Sequence, residues 1–248
     1  MKGTIFVASG KGGVGKTSLV AGIGSCLAAM GLRVLCIDAD FGLGNLDILF
    51  GLTDKTALDL GDVLRGHAGL MEAAVRHSEI EGLYLLNAPL RMDGIEERSF
   101  VALERFAARE FDYCFVDCSA GIGRGLEMAA RGADMGIIVA SPDFTSLRDA
   151  ERAARICEDV GHKGLELKLV INRVRPKLMA TGDMPNIDDA MDATGLPLLG
   201  VVPEDERVIA SSNRSEPLVL NHADGASAAY LRIARRLTGA RVALPQFD

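Results

Sequence analysis

Residues 4–17 read TIFVASGKGGVGKT and combine a short apolar run with a glycine-rich loop. The apolar run, Thr4–Ser9, has the length and composition of a buried strand. The loop ends in Lys16-Thr17, directly before an apolar segment of helical length. This order of strand, loop and helix predicts an α/β fold with the loop at the carboxyl edge of a sheet.

Residues 10–17, GKGGVGKT, match the phosphate-loop pattern G-x-x-x-x-G-K-[ST]. Glycines let the backbone curl until successive N–H groups point inward, and the N-terminus of the following helix adds positive charge. We expect Lys16 to contact the β- and γ-phosphates of a nucleotide, and the Thr17 hydroxyl to ligate Mg²⁺. A glycine-rich turn without a ligand is the alternative, and a dinucleotide-binding loop would leave the Lys16-Thr17 pair without a function. The predicted phosphate-binding residues are Gly10, Lys11, Gly12, Gly13, Val14, Gly15, Lys16, Thr17 and Ser18.

Lys11 is a second lysine in the same loop, and like-charge repulsion opposes its sharing the phosphates with Lys16 inside one subunit. It needs another target, unless it is only a solvated loop residue. Residues 11–17, KGGVGKT, resemble the deviant Walker A motif of the MinD/ParA group of ATPases. In that group this lysine reaches the nucleotide of a partner subunit. The resemblance implies ATP and Mg²⁺ as cofactors, an ATP-dependent homodimer, and catalytic roles for Lys16 and, in trans, for Lys11.

Carboxylates follow two of the predicted strands. Asp38 and Asp40 come at the end of the second strand, and Asp117 ends a strand of apolar and aromatic residues. Because the carboxyl ends of parallel strands line the ligand crevice, we expect these side chains beside the phosphate loop. Thr17, Asp38, Asp40 and Asp117 are therefore the predicted ligands of Mg²⁺ and its bound water. An acidic turn without chemistry is the alternative for residues 38–40.

Residues 38–47, DADFGLGNLD, resemble the switch I segment of the same group. The resemblance implies that Asp40 activates the attacking water, that Asn45 helps to hold this water, and that Asp117 is a catalytic Walker B aspartate. At residues 117–121 the chain reads DCSAG, where the group usually has Asp-Ser/Thr-Pro-Ala-Gly. Because the proline is missing, we expect a less rigid switch II backbone.

Two further segments are candidates for contact with the base of the nucleotide. Asn172-Arg173 follows a predicted strand and resembles the adenine-contacting pair of the group. Asparagine suits an adenine edge because it carries both a donor and an acceptor, although it is also a common turn former. Pro203, Glu204 and Asp205 resemble the loop that flanks the nucleotide in the group.

Apolar runs alternate with helix-length segments along the chain, which predicts a mostly parallel, twisted sheet of about seven to eight strands with helices on both faces. This is the P-loop NTPase fold, and we expect residues 1–248 to form a single domain. The predicted strands are Thr4–Ser9, Arg33–Asp38, Leu83–Asn87, Tyr113–Asp117, Gly136–Ala140, Leu167–Ile171 and Leu198–Val202. The predicted helices are Lys16–Met30, Ile95–Glu110, Gly123–Arg131, Thr145–Val160, Ile187–Thr194, Asp205–Ser212 and Gly225–Thr238. In the last of these helices Ala226, Tyr230, Ile233 and Leu237 fall on one face, which predicts a helix docked on the sheet.

The composition limits the partners and the cellular location that we expect for this chain. The 248 residues carry a formal net charge of −7, which disfavours DNA as a partner. No apolar run approaches the roughly 18 residues that would span a bilayer. The five cysteines lie in apolar or helical segments, which predicts buried, reduced thiols and a cytoplasmic location. Cys114 and Cys118 are disfavoured as a metal pair because residues four apart on a strand lie about 13 Å from each other.

The resemblance covers nearly the whole chain and is greatest to the MinD family within the group. It implies a switch in cell-division site selection, in which the ATP dimer recruits a division inhibitor and a second partner stimulates slow ATP hydrolysis. The helix after Ser141-Pro142 would contribute to the inhibitor surface, unless its polar residues only face solvent. The candidates for this surface are Ser146, Arg148, Asp149 and Arg152.

The C-terminal residues depart from the family pattern. Proteins of the MinD family usually end in a basic amphipathic helix that lies on the bilayer, whereas residues 239–248 read GARVALPQFD. Pro245 and the small apolar content leave little area for interfacial binding. We therefore expect either another route of peripheral contact with the inner face of the cell membrane, or a relative of the ParA or flagellar-number type that positions a nucleoid or polar cargo. A nucleotide-binding scaffold without turnover is a further alternative, against which the intact phosphate loop and carboxylates argue.

Overall fold

The computed structural model describes residues 2–53, 55, 57–89 and 96–245. Within these residues eight strands form one sheet. The strands are β1 (Gly3–Ala8), β2 (Val34–Ala39), β3 (Val75–Arg76), β4 (Leu83–Leu86), β5 (Tyr113–Cys118), β6 (Met135–Ala140), β7 (Glu166–Val174) and β8 (Leu198–Pro203). Their order across the sheet is β3-β4-β2-β5-β1-β6-β7-β8, and all neighbours are parallel except β3 and β4. The predicted mostly parallel sheet is confirmed.

Helices connect the strands on both faces of the sheet. In the described residues they are α1 (Lys16–Ala29), α2 (Leu46–Phe50), α3 (Leu60–Leu64), α4 (Leu70–Ala73), α5 (Glu97–Glu110), α6 (Arg124–Gly132), α7 (Phe144–Val160), α8 (Pro176–Thr181), α9 (Ile187–Thr194), α10 (Glu206–Asn213), α11 (Leu218–Asn221) and α12 (Gly225–Leu237).

Burial on both faces explains the apolar composition of the strands. Every residue of β1, β2, β5 and β6 is buried, as expected for parallel strands covered by helices on each side. One core lies beneath α5, α6 and α7 and includes Phe6, Phe100 and Leu147. The other lies beneath α1 and α12 and includes Leu19 and Tyr230. The sheet is therefore the middle layer of three.

The last helix docks on the sheet as its periodicity predicts. Its buried face includes the four predicted residues Ala226, Tyr230, Ile233 and Leu237. On the other side, Arg235 is exposed. Arg236 instead turns back and donates from Nη1 to the Leu199 carbonyl at 2.6 Å and from Nε to the Val242 carbonyl at 3.0 Å. Arg236 thus fixes the segment after α12 beside β8.

The predicted strands are all present, with ends that differ by at most three residues. The short elements β3, α2, α3, α4, α8 and α11 were not predicted, because two to six residues contain too few turns or alternations to show a period. Gly123 and Asp205, the predicted first residues of two helices, are the N-caps of α6 and α10 instead. The predicted helix start at Ile95 lies outside the described residues.

All five cysteines are free and buried, as predicted. Burial raises the pKa of the Cys26 and Cys157 thiols to about 12, so both stay protonated and unreactive at neutral pH. Across the described ranges, no helix combines the length and the apolar character that crossing a membrane requires.

The strand order brings the glycine loop next to the acidic strand ends. β1 lies between β5 and β6. From β1 the chain passes to β2, which lies on the β5 side of β1. From β5 the chain passes to β6, which lies on the opposite side of β1. Such a reversal opens a crevice at the carboxyl ends of the strands. Asp38 on β2 is opposite Asp117 on β5 in the register, so both carboxylates lie at this edge.

Candidate nucleotide-binding site

The glycine loop forms a turn in which particular positions require glycine. Gly13 and Gly15 have left-handed backbone angles, with φ of 77° and 92°, which other residues rarely adopt. A Cβ on Gly15 would clash with the Asn172 amide, and a Cβ on Gly10 would clash with the backbone of Asp149 in α7. The loop is therefore held between β7 and α7 before it opens α1.

The two lysines of the loop have different surroundings. Lys16 is only 8% exposed, and its charge acts on the Asp117 carboxyl. Lys11 is exposed, its carbonyl accepts a hydrogen bond from the Ser9 hydroxyl at 2.8 Å, and its charge acts on Asp143 at the N-cap of α7. Lys16 therefore belongs to the interior of the site, whereas Lys11 lies on the surface beside it.

Asp38 and Asp117 are buried at the ends of neighbouring strands, with 0% and 1% of their surface exposed. Asp38 accepts backbone N–H groups of Asp40 at 2.9 Å and of Leu46 at 3.0 Å. Burial raises the pKa of Asp38 to about 6 and that of Asp117 to about 7; repulsion from Asp40 adds to both shifts, and repulsion from Asp38 adds to that of Asp117. A cation between these groups would relieve both costs.

The residues at this edge fit Mg²⁺ bound together with a nucleotide. The Thr17 hydroxyl hydrogen-bonds to the Asp117 carboxylate, but Asp117 Oδ1 is buried without a hydrogen-bond partner among the described residues. A buried charged oxygen is costly unless it is paired or coordinates a metal. In the described part of the chain no three His, Cys, Asp or Glu residues converge into a cage. Mg²⁺ does not need one, because it is commonly held by one or two carboxylates, waters and phosphates.

The segment after β2 wraps closely around Asp38. A Cβ on Gly44 would lie 2.8 Å from Asp38 Oδ2, so glycine is needed for this approach. Asp40 is half-buried directly after β2, and Asn45 is exposed at the N-cap of α2, where its Nδ2 donates to the Leu43 carbonyl at 2.6 Å. Asp40 and Asn45 thus lie in the same loop at the carboxyl edge, while their catalytic roles stay predictions.

Hydrogen bonds anchor the loop after β5 without a proline. Cys118 is the buried last residue of β5. The Ser119 hydroxyl donates to the Ala39 carbonyl at 3.1 Å, and the Gly121 N–H donates to the Ser9 carbonyl at 3.0 Å. These bonds join the loop to the end of β2 and to the phosphate loop. They offset part of the flexibility that the missing proline led us to expect.

A cavity of about 320 Å³ adjoins the end of the phosphate loop. Its volume is at the lower end of the range for small-molecule sites. The cavity brings both predicted base-binding segments together with the first turn of α1. The lining residues that the sequence predicted are Gly15, Ser18, Asn172, Arg173, Pro203, Glu204 and Asp205.

Asn172 supports the phosphate loop in addition to lining the cavity. Its Nδ2 donates to the Val14 carbonyl at 2.7 Å, and its Oδ1 accepts the Arg173 N–H at 2.9 Å. Arg173 has a φ of 59°, which is rare for a residue other than glycine and is concentrated at functional sites. Asn172 therefore has a structural role that the sequence did not suggest, and its contact with adenine stays a prediction.

Glu204 and Asp205 are engaged with neighbouring side chains. Arg175 binds both carboxylate oxygens of Glu204, from Nε to Oε2 and from Nη2 to Oε1 at 3.1 Å. Asp205 caps α10 and accepts two bonds of 2.8 Å from the Arg207 guanidinium, and it also accepts the Ala226 N–H at 3.0 Å. The bonds from Arg207 lower the pKa of Asp205 to about 2. Asp205 thus joins α10 to α12 and shapes the cavity wall.

Sequence reasoning missed several residues of this cavity. Arg175, Val208, Ile209 and Tyr230 also line it. Tyr230 was assigned only to the buried face of the last helix, because periodicity identifies a buried face without saying what lies at its end. The spacing of Arg175 from Glu204 along the chain gave no signal of their ion pair.

Sequence reasoning also missed exposed apolar side chains at the carboxyl edge. Leu43 and Ile122, in the loops after β2 and β5, are 74% and 49% exposed, and Phe144 at the start of α7 is 77% exposed. Exposed apolar residues that gather at one edge of a protein are typical of an interaction surface.

The helix predicted to meet a division inhibitor is α7. Arg148 and Arg152 are exposed and Asp149 is half-buried. The prediction is wrong for Ser146, which is 2% exposed and accepts the Ser141 N–H at 3.0 Å. Because Ser146 is in the first turn of the helix, its hydroxyl completes the turn instead of facing outward.

The loop opens a helix directly after a strand in the middle of the sheet, the arrangement that defines P-loop nucleotide-binding proteins. Residues 5–218 match the family described as the CobQ/CobB/MinD/ParA nucleotide binding domain. The chain is 38% identical to the septum site-determining protein MinD of Bacillus subtilis, over 97% of this chain and 90% of that protein. It belongs to the MinD family of these nucleotide-binding proteins.

Solved structures agree with this membership. A chain of the MinC:MinD cell division protein complex of Aquifex aeolicus superimposes with a TM-score of 0.90 at 35% identity, covering 99% of both chains. The septum site-determining protein MinD of Pyrococcus horikoshii, complexed with Mg-ADP, gives a TM-score of 0.84 at 26% identity and covers 96% of both chains. The fold is therefore that of the family.

Proposed function

We propose that this chain is a Mg²⁺-dependent ATPase that acts as a dimerisation switch in the selection of the cell-division site. The observation that carries the proposal is the pair of loop lysines, since Lys16 is buried beside Asp117 while Lys11 is exposed next to the same phosphate site. The Mg-ADP complex of the Pyrococcus horikoshii relative supports the choice of nucleotide and metal. When bound, Mg²⁺ would supply positive charge to the phosphates.

The roles of the residues follow from their positions. Lys16 and the inward N–H groups of the loop hold the β- and γ-phosphates. Asp40 orients the attacking water with help from Asn45, while Thr17 and Asp117 hold the metal. Lys11 of a second copy would place positive charge beside the negative charge that develops on the transferring phosphoryl group. Hydrolysis then removes the group that both subunits bind, and the dimer separates.

Single-turnover hydrolysis tests the catalytic part of the proposal. We expect Asp40→Ala to slow hydrolysis of bound ATP by about 100-fold or more, which is the usual contribution of a positioned base. Asp159→Ala is a matched control, because Asp159 is exposed in the last turn of α7, and it should hydrolyse ATP like the wild type. Equal rates for wild type and Asp40→Ala would remove Asp40 from the mechanism.

Light scattering tests the dimer. With ATP and Mg²⁺, the mass should double from the 26.3 kDa of one chain, and Lys11→Ala should abolish the doubling. Burial of Leu43, Ile122 and Phe144 between two copies would account for their exposure in a single chain. Lys163→Ala is the control, since Lys163 is exposed in the connection from α7 to β7. A monomer under every nucleotide condition would contradict the role of Lys11 in trans.

The MinC:MinD complex of Aquifex aeolicus supports a division inhibitor as the partner of the ATP dimer. On α7 the exposed residues for this contact are Arg148 and Arg152, with Asp149 beside them at 3.7 Å from Arg152. We expect the division inhibitor of the same organism to bind only when ATP is present. The double variant Arg148→Ala, Arg152→Ala should bind this inhibitor more weakly. Arg235→Ala on α12 should leave binding unchanged, and equal binding by both variants would exclude α7.

We also propose that the protein is cytoplasmic and contacts the inner face of the cell membrane peripherally. The described residues after Gly239 contain no helix, and Arg236 holds the Val242 carbonyl. Co-sedimentation with anionic vesicles in ATP, with and without the residues after Gly239, tests this segment. Binding that survives the truncation would identify another route to the membrane, and the absence of any binding would favour a cargo other than the membrane-bound division machinery.

A further inference from the structure

Tyr230 joins the docked helix α12 to the cavity at the end of the phosphate loop. The residue is 2% exposed and is one of the largest fully enclosed side chains, yet it also lines the cavity together with Ser18 and Arg173. The side chain also borders a small cavity beside Gly22, and the end on which Asp205 and Arg173 act is the end at the larger cavity, which both of these residues line. For a tyrosine that end is the hydroxyl group.

Close packing fixes the ring of Tyr230. A Cβ on Gly22, in the middle of α1, would overlap the ring atoms of Tyr230, so the ring lies directly on the backbone of the helix that begins at the phosphate loop. A ring held in this way has few rotamers available. Its hydroxyl is therefore presented to the cavity at a defined position relative to the phosphate site.

The hydroxyl of Tyr230 makes no hydrogen bond with the part of the chain that the structure describes. Three other polar side chains of the cavity wall are engaged: Asn172 with Val14, Glu204 with Arg175, and Asp205 with Arg207 and Ala226. The Tyr230 hydroxyl is not one of the buried side-chain atoms that lack a partner, so it opens onto the cavity. A hydroxyl that opens onto a cavity from the end of a fixed ring is available to a ligand that binds there.

Burial raises the pKa of Tyr230 above its usual value, with Asp205 adding to the shift and Arg173 opposing it. Asp205 and Arg173 are both residues of the cavity wall, which agrees with a hydroxyl at that end of the ring. The group stays neutral at physiological pH and can donate one hydrogen bond and accept another.

We propose that the Tyr230 hydroxyl hydrogen-bonds the nucleoside part of the bound nucleotide and contributes to selection of the nucleoside. This inference rests on the proposed ATP binding, because the cavity adjoins the phosphate loop. The residue discriminates at the base or ribose and has no part in holding the phosphates. The bond would be worth about a 3- to 10-fold change in affinity, as is typical of one neutral hydrogen bond.

Calorimetric titration of Tyr230→Phe with Mg²⁺ present tests the proposal. We expect the Kd for ATP to rise about 3- to 10-fold, while the Kd for inorganic tripolyphosphate, which has no nucleoside, stays that of the wild type. 2′-Deoxy-ATP separates the two halves of the nucleoside. A penalty that persists with this ligand assigns the bond to the base or to the rest of the sugar, and a penalty that disappears assigns it to the 2′-hydroxyl.

Tyr113→Phe is the matched control. The Tyr113 hydroxyl is also buried, but it donates to the Leu237 carbonyl at 2.9 Å, so its loss should lower the Tm and leave the Kd for ATP unchanged. Equal ATP affinity of Tyr230→Phe and wild type would overturn the inference, as would equal losses for ATP and tripolyphosphate. A wild-type protein that binds no ATP would instead overturn the proposed function itself.

Discussion

Replacing Glu104 by glutamine is expected to stabilise the fold at neutral pH. Glu104 lies on the inner side of α5 with 0% exposure, and both of its carboxylate oxygens are buried without a hydrogen-bond partner among the described residues. A Cβ on Gly132 of α6 would clash with this carboxylate, so the group is enclosed by neighbouring backbone. Burial raises the pKa of Glu104 well above its ordinary 4.5, and the nearby Asp134 raises it further.

The sign of the pH dependence follows from this shift. Above about pH 4.5 the unfolded state releases a proton from Glu104 that the folded state keeps. The stability that the neutral carboxyl allows is therefore complete below that pH. It is lost as the pH rises through the raised pKa of the folded state. One proton changes the free energy of unfolding by at most about 1.4 kcal/mol per pH unit. Between pH 5 and pH 7 the wild type therefore loses up to about 3 kcal/mol relative to Glu104→Gln.

Urea unfolding at pH 5, 6 and 7 measures this difference. Glu104→Gln should be near the wild type in free energy of unfolding at pH 5 and more stable at pH 7 by up to about 3 kcal/mol. Buried Asp38 and Asp117 are present in both proteins, so their titration cancels. Glu97→Gln on the same helix is the control, because Glu97 is exposed and pairs with Arg131 at 2.8 Å, and surface pairs are worth about 0–1 kcal/mol. A difference for Glu104→Gln that does not grow with pH would refute the reasoning.

Three further substitutions have expected outcomes. Gly22→Ala should lower the free energy of unfolding by about 1–3 kcal/mol in urea, although alanine favours helices, because its methyl group would overlap the Tyr230 ring. Asn172→Ala should lower the free energy of unfolding by about 1–3 kcal/mol in the same assay and raise the Kd for ATP, since the Val14 carbonyl would lose its 2.7 Å donor. Unchanged ATP affinity would show that nucleotide binding by the phosphate loop does not depend on this bond from β7. Ser119→Ala should cost about 1 kcal/mol through loss of its 3.1 Å bond, and a stability equal to wild type would show that water replaces it.

Much of the fold could be predicted because its signals are local. The glycine loop between an apolar strand and a helix, and the apolar strands that follow, identified the parallel sheet and the edge at which the site lies. The strand β3 and the short helices between β2 and β4 could not be predicted, since their two to five residues are stabilised by packing with distant parts of the chain and have little propensity of their own.

The same distinction between local and distant signals applies to the residues of the site. Lys16, Asp38 and Asp117 follow motifs within a few residues of a strand end, and the sheet brings them together as expected. The bond from Asn172 to Val14 joins residues 158 positions apart, and the packing of Tyr230 on Gly22 joins two helices at opposite ends of the chain. Such pairings depend on the three-dimensional course of the chain, which spacing along one sequence does not contain.

The same contacts indicate how bound nucleotide could change the surface of this protein. The phosphate loop is held firmly from two sides, by Asn172 and by the backbone of Asp149. By contrast, the loop after β5 is tied by two neutral hydrogen bonds, from the Ser119 hydroxyl to Ala39 and from the Gly121 N–H to Ser9, each worth about 1 kcal/mol. Energies of this size are exceeded by the charge-assisted hydrogen bonds that a γ-phosphate offers.

The exposed Leu43 and Ile122 lie in the two loops that follow the strands of Asp38 and Asp117, the carboxylates at the proposed metal position. A γ-phosphate that draws these loops inward would therefore move two apolar side chains with them, at a cost that a few hydrogen bonds can meet. The rigid phosphate loop then provides affinity, and the weakly tied loop after β5 provides the difference between nucleotide states on which a dimerisation switch depends. Because a ligand shifts an equilibrium only by its differential affinity, strengthening these ties should make the switch less responsive even where ATP still binds.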